Sequence, residues 1–127
     1  VRNSDIICTT TPSTTPVLPD DKELLRGKCI IAIGSYMPEM REIPDAVLDL
    51  VDNVYIELPY ACEESGDLSQ PLASGKLTKD RIKLMHEYLV SGEKEIKEGQ
   101  TTYFKSVGMG LFDVCIAQKL YEVAKEK

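Results

Sequence analysis

The run Lys28-Cys29-Ile30-Ile31-Ala32-Ile33 stops abruptly at Gly34-Ser35, and this change from apolar to small and polar constrains the fold more than any other feature. A second run, Asp5-Ile6-Ile7-Cys8, closes in Thr9-Thr10-Thr11. Apolar, β-branched runs of this length read as buried strands of a parallel sheet. Parallel strands need crossover segments, and the chain between and after these runs has room for them. In an open α/β sheet, ligands bind at the carboxyl ends of the strands, where both runs turn polar.

The rest of the chain keeps a βαβ rhythm. Strands are expected over residues 5–11, 28–33, 53–58 and 101–107. Pro12-Ser13-Thr14-Thr15-Pro16 is a loop. A short turn or helix over residues 19–25 is closed by Gly27, and residues 34–42 form a loop holding Pro38. Pro44-Asp45 opens a helix with Ala46, Val47, Leu48, Leu50 and Val51 on its apolar side. Residues 60–65 are one or two helical turns stopped by Gly66. Thr78-Lys79-Asp80 leads into a helix with Ile82, Met85, Leu89 and Val90 at helical spacing, ended by Gly92; residues 93–100 are a charged loop. A last helix starts at Leu111 and aligns Phe112, Ile116, Leu120 and Val123.

The 127 residues suffice for one compact domain. A net charge of -6 and a pI near 4.8 argue against a nucleic-acid partner, which needs a basic stripe. No window is long and apolar enough to cross a membrane. Cys8, Cys29, Cys62 and Cys115 lack C-x-x-C spacing, and the expectation is buried free thiols in a reducing cytosol. The lone histidine, His86, falls on an expected surface helix; no metal site and no G-x-S-x-G elbow accompany it. The chain begins with Val1 and runs almost directly into a strand, which leads us to expect that the natural N-terminus lies upstream.

Several motifs fall at the expected ligand edge. The hydroxyls of Thr9-Thr10-Thr11 could touch a nucleotide, although threonine is also a good strand residue and local evidence favours that. Gly34-Ser35 would let a ligand approach the backbone, or make an ordinary turn. Arg41 could fork onto a carboxylate; with Glu42 beside it, a local salt bridge or helix N-terminal contact is the preferred reading. Glu63-Glu64-Ser65-Gly66-Asp67 reads as a solvated helix end rather than a cation or proton-transfer site. Gly108-Met109-Gly110 joins a strand to a helix, but Asp113 stands where a dinucleotide fingerprint has its third glycine.

Together, in this order and spacing, the motifs resemble the ornithine cyclodeaminase/mu-crystallin family. The matching segments are residues 4–13 with Pro16-Val17-Leu18; Ile31-Ala32-Ile33-Gly34-Ser35 with Pro38 and Arg41-Glu42-Ile43; Glu64-Ser65-Gly66-Asp67; residues 102–109; and Asp113 with Ala117, Lys119, Leu120 and Tyr121. The resemblance implies an α/β fold: the second half of a Rossmann-type NAD(P)-binding domain, with parallel strands, flanking helices and a C-terminal helix returning to an N-terminal domain. On this reading residues 1–127 lack the N-terminal dimerisation and substrate domain and the glycine-rich pyrophosphate loop.

The resemblance also implies NAD(H) or NADP(H) as cofactor. Thr9 and Thr11 would lie near the adenosine half, Ile33, Gly34 and Ser35 would line the cofactor, and Val107 and Gly108 would approach the nicotinamide ring. It assigns no catalytic residue within this chain. Cyclodeaminases carry an aspartate two positions after the glycine matching Gly34; here Tyr36 stands there, and tyrosine is a poor base near neutral pH. The resemblance therefore leans to the mu-crystallin-like imine reductases, which act on small imino or amino acids. The whole protein would be a cytoplasmic homodimer, and this chain alone an inactive fragment. Ornithine cyclodeaminase, alanine dehydrogenase and a non-catalytic crystallin-like binding protein stand as alternatives.

Overall fold

The computed structural model describes residues 1–91 and 96–125. The expected Gly92 helix stop, residues 93–95 of the charged loop and the last two residues lie outside the described residues. The chain adopts the expected α/β architecture. Strands β1 (Ile6–Thr9), β2 (Cys29–Ala32), β3 (Val54–Ile56), β4 (Ile82–Leu84) and β5 (Thr102–Lys105) form one parallel sheet in the order β1-β2-β5-β3-β4. The helices are α1 (Lys22–Leu25), α2 (Asp45–Leu50), α3 (Ala61–Glu64), α4 (Gly66–Ser74), α5 (Met85–Ser91) and α6 (Gly110–Lys125).

One face of the sheet carries the core. Ile30, Ala32, Val54, Ile56 and Tyr103 pack there with Leu25, Val47, Leu48 and Leu68 from the helices. Short elements like these depend on their ends. Asp21 caps α1 by accepting from Glu23 N and Leu24 N. Pro44, which starts α2, has no capping side chain, and Asp20 accepts from Ala46 N instead. Arg81 closes the other end of α2, donating to Leu48 O and Val51 O at 2.6 Å each and to Asp52 O at 3.1 Å. Ser65 caps α4 through Asp67 N.

The structure corrects four expectations. Residues 78–90 are not one helix: a 3-10 turn (Lys79–Arg81) leads into β4, and only then α5 begins. The 82/85/89 apolar spacing imitates a helix because a three-residue strand is too short to show its own period. Gly66 does not stop a helix but opens α4. The strand runs are not buried on both faces: β1 is an edge strand, and Ile6 is 65 % exposed. Cys8 on β1 and Cys115 on α6 are likewise exposed, with Cys29 and Cys62 half-buried; all four are free thiols, as expected, but not all are buried.

Helix α6 has no buried residue, and its apolar positions Leu111, Phe112, Ile116, Leu120 and Val123 all face outward. No helix among the described residues is long and apolar enough to cross a membrane.

Replacing Arg81 with alanine should lower the unfolding free energy by about 2 kcal/mol, because charge-assisted bonds to the end of α2 are lost. Arg81→Lys should recover only part, since one ammonium cannot match the guanidinium's spread of donors. Urea titration followed by circular dichroism measures both.

Candidate functional site

The carboxyl ends of β1, β2 and β5 meet above one buried carboxylate. Glu42, from the loop between β2 and α2, is fully buried. It accepts from Thr9 Oγ1 at 2.9 Å, Thr11 N at 2.6 Å, Thr11 Oγ1 at 2.8 Å and Gly34 N at 2.8 Å. The first strand's end is thereby tied to the second's. A Cβ on Gly34 would stand 2.2 Å from both Thr11 N and Thr11 O, so glycine is needed for the approach of two backbone segments.

Beneath Glu42 lies an ion pair. Asp67, in the first turn of α4, accepts from Glu42 N at 2.7 Å and Ile43 N at 2.9 Å. Its other oxygen lies 3.6 Å from Lys105 Nζ, with both side chains sealed from solvent. Lys105 Nζ also donates to Ala32 O at 3.4 Å. Tyr103, two residues earlier on β5, is buried, and its hydroxyl has no hydrogen-bond partner among the described residues. Ser35 is buried too, bonded to Met40 O and to Ser65 Oγ.

Burial works against the charge on Glu42, but the bonds from Thr11, Thr9 and Gly34 outweigh it and hold its carboxyl below the ordinary value. Asp67 goes the other way: burial raises it, only partly offset by Ile43 N and the charge of Lys105. Burial lowers Lys105, with Asp67 and Glu42 pulling back. Burial, reinforced by Asp67 and Glu42, drives the Tyr103 phenol well up.

A second carboxylate sits one strand away. Glu57 follows β3 and is 6 % exposed. Its Oε1 accepts from Ser106 Oγ at 2.8 Å, Val107 N at 2.6 Å and Gly108 N at 2.9 Å. Gly108 has φ +87°, and nothing lies within 4 Å of where its Cβ would be. The space over Gly108 is therefore open, in contrast to Gly34.

The expected site residues thus all occupy one edge but not one surface. Ile33 (42 % exposed) and Gly108 reach outward, with Thr11 and Val107 half-buried. Thr9 and Ser35 are buried, and the Thr9 hydroxyl is committed to Glu42. Two expectations change. Arg41 pairs with Asp45 rather than Glu42, because Glu42 turns inward. Asp67 does not belong to a solvated helix end: the Ser65 cap directs it into the core. Sequence reasoning named Glu42 and Asp67 without their buried roles and assigned none to Lys105 or Glu57. The available signal was Lys105 two residues from Tyr103, on the core face of a strand, where a charge needs a buried partner.

The model of the ornithine cyclodeaminase/mu-crystallin family matches residues 1–127. A Delta(1)-pyrroline-2-carboxylate reductase of Bacillus cereus is 38 % identical over 130 residues, covering 100 % of this chain and 39 % of the relative. Among solved structures, a probable ornithine cyclodeaminase from Bordetella pertussis superposes with a TM-score of 0.80 at 30 % identity, over 99 % of this chain and 41 % of that one. A Thermococcus litoralis Delta(1)-pyrroline-2-carboxylate reductase, in complex with NADH and L-proline, gives a TM-score of 0.80 at 25 % identity, over 98 % and 39 %. The chain spans about two fifths of the length of these relatives.

Replacing Glu42 with glutamine should cost about 3 kcal/mol near pH 7, since one amide oxygen must serve donors that the carboxylate shared between two oxygens. The folded value of Glu42 is depressed, so its contribution is present above the ordinary carboxylate value and is lost as pH falls through the folded one. The difference between wild type and variant should therefore shrink below about pH 4. Denaturant titrations of both proteins across pH measure it.

Proposed function

The chain belongs to the ornithine cyclodeaminase/mu-crystallin family, and from that premise we propose that it is the second half of a Rossmann-type NAD(P)-binding domain in an imino-acid reductase. The substrate class is a ketimine or 1-pyrroline-2-carboxylate. The observation that carries this reading is the 38 % identity, along the whole chain, to a pyrroline-carboxylate reductase. Tyr36, 50 % exposed at the same edge, supports reduction over cyclodeamination, because the cyclodeaminase aspartate is absent there.

The residues fit the cofactor at the open part of the edge. Ile33 offers an exposed apolar side chain, and Gly108 leaves room for a flat ring to reach the backbone. Bound NAD(P)H would supply the hydride for the C=N carbon. Val107 and Gly108 would border the nicotinamide, while Thr9 acts from behind by tying the end of β1 to Glu42, and Ser35 by tying its loop to Met40 O and Ser65 Oγ. Thr11 and Gly34 would lie along the cofactor's path.

The whole protein would be a homodimer whose N-terminal domain supplies the substrate site and receives α6. Two features support this: the outward apolar side chains of α6, and β1 left as an edge with Ile6 uncovered. A parallel sheet is normally covered on both faces.

The test is oxidation of NADH and NADPH by the full-length protein with 1-pyrroline-2-carboxylate and 1-piperideine-2-carboxylate. We expect turnover with at least one pair, and none from residues 1–127 alone. No oxidation with any imino or oxo acid would overturn the reading; tight nucleotide binding without turnover would assign a binding protein instead.

A further inference from the structure

We propose that Glu57 is the positioning residue that sets the height and tilt of the Ser106–Val107–Gly108 turn over which hydride transfer takes place. The inference rests on the reading of this edge as an NAD(P) site. In that role it would touch neither cofactor nor substrate.

Parallel pairing sets Ile56 opposite Lys105, so the next residues, Glu57 and Ser106, leave the sheet side by side. A single oxygen of Glu57 then accepts from three consecutive residues: the Ser106 hydroxyl and the Val107 and Gly108 amides. Gly108 N also reaches Ser106 Oγ at 3.2 Å, which closes the turn on itself. The other oxygen, Oε2, is buried without a hydrogen-bond partner among the described residues. Glu57 also borders a cavity of about 280 Å³, open to solvent at His86, Leu89 and Phe112 and otherwise walled by Leu58, Met85, Phe104 and Met109. Glu57 itself is buried, and hydrogen bonds to a buried carboxylate are strong and directional. Gly108, at φ +87° with open space above it, would be free to swing without them. The carboxylate therefore fixes Ser106–Val107–Gly108, a segment of this edge that has no strand or helix geometry of its own.

The experiment uses the full-length protein with Glu57→Ala, Glu57→Gln and Ser106→Ala, assayed with NAD(P)H and NAD(P)H deuterated at the transferred position. A displaced nicotinamide should lower kcat about 100-fold in Glu57→Ala. KM for the imino acid should stay within about threefold, because substrate contacts are untouched. The deuterium isotope effect on kcat should rise as hydride transfer becomes limiting, a readout that general loss of stability does not move. Glutamine keeps an acceptor oxygen and should restore kcat to within about tenfold of wild type. A folded Glu57→Ala with unchanged kcat and isotope effect would overturn the inference and leave the reductase reading standing. If Glu57→Ala does not fold, Ser106→Ala decides: a fall in kcat of about fivefold with a raised isotope effect is expected, and no change overturns the inference. A wild-type protein inert towards NAD(P)H would overturn both.

Discussion

The carboxylate of Glu42 is the constraint on which this edge depends. A parallel sheet delivers its strand ends to one side but does not hold the loops that follow. Here one side chain gathers the ends of β1 and β2 through four donors. Gly34 makes that possible by letting the Thr11 backbone come within van der Waals reach. Glu42 in turn is held by its own amide on Asp67, and Asp67 faces Lys105. Three strands and α4 are thus joined by one continuous polar network inside an apolar core.

Such a network is a costly way to gain stability. Burying Asp67 and Lys105 opposes both charges, and the directions of their shifts show it. A well-packed apolar pair of equal volume would stabilise the core at least as well. What the charges give instead is geometry, because directional bonds locate backbone atoms in a way that dispersion does not. Glu57 repeats the device one strand over, so each loop of the edge has a carboxylate beneath it.

The fold was legible where residues carry their own period or punctuation. Ile30-Ile31-Ala32 before Gly34, Pro44 before α2 and Gly108 after β5 mark their elements directly. β4 was not legible, because three residues between a 3-10 turn and a helix fall inside one helical period. The exposure of Cys8 and α6 was hidden because apolar composition says that a surface wants covering, not whether these residues cover it. Of the edge, the positions were readable and the directions were not. Thr9 and Glu42 sit 33 residues apart, and only the fold shows that their side chains meet.

The sheet order has a consequence for how the chain is made. β5, last in sequence of the five described strands, lies between β2 and β3. Lys105 must find Ala32, 73 residues back. During synthesis β1–β2 and β3–β4 can pair early, but they stay two separate ribbons, each with an unpaired inner edge, until β5 leaves the ribosome. Such late, long-range closure slows folding and prolongs the exposure of strand edges. β5 also carries Lys105, the counter-ion of Asp67, so this ion pair forms only once β5 is in place. A folding helper that shields open strand edges would act in the interval before β5 emerges.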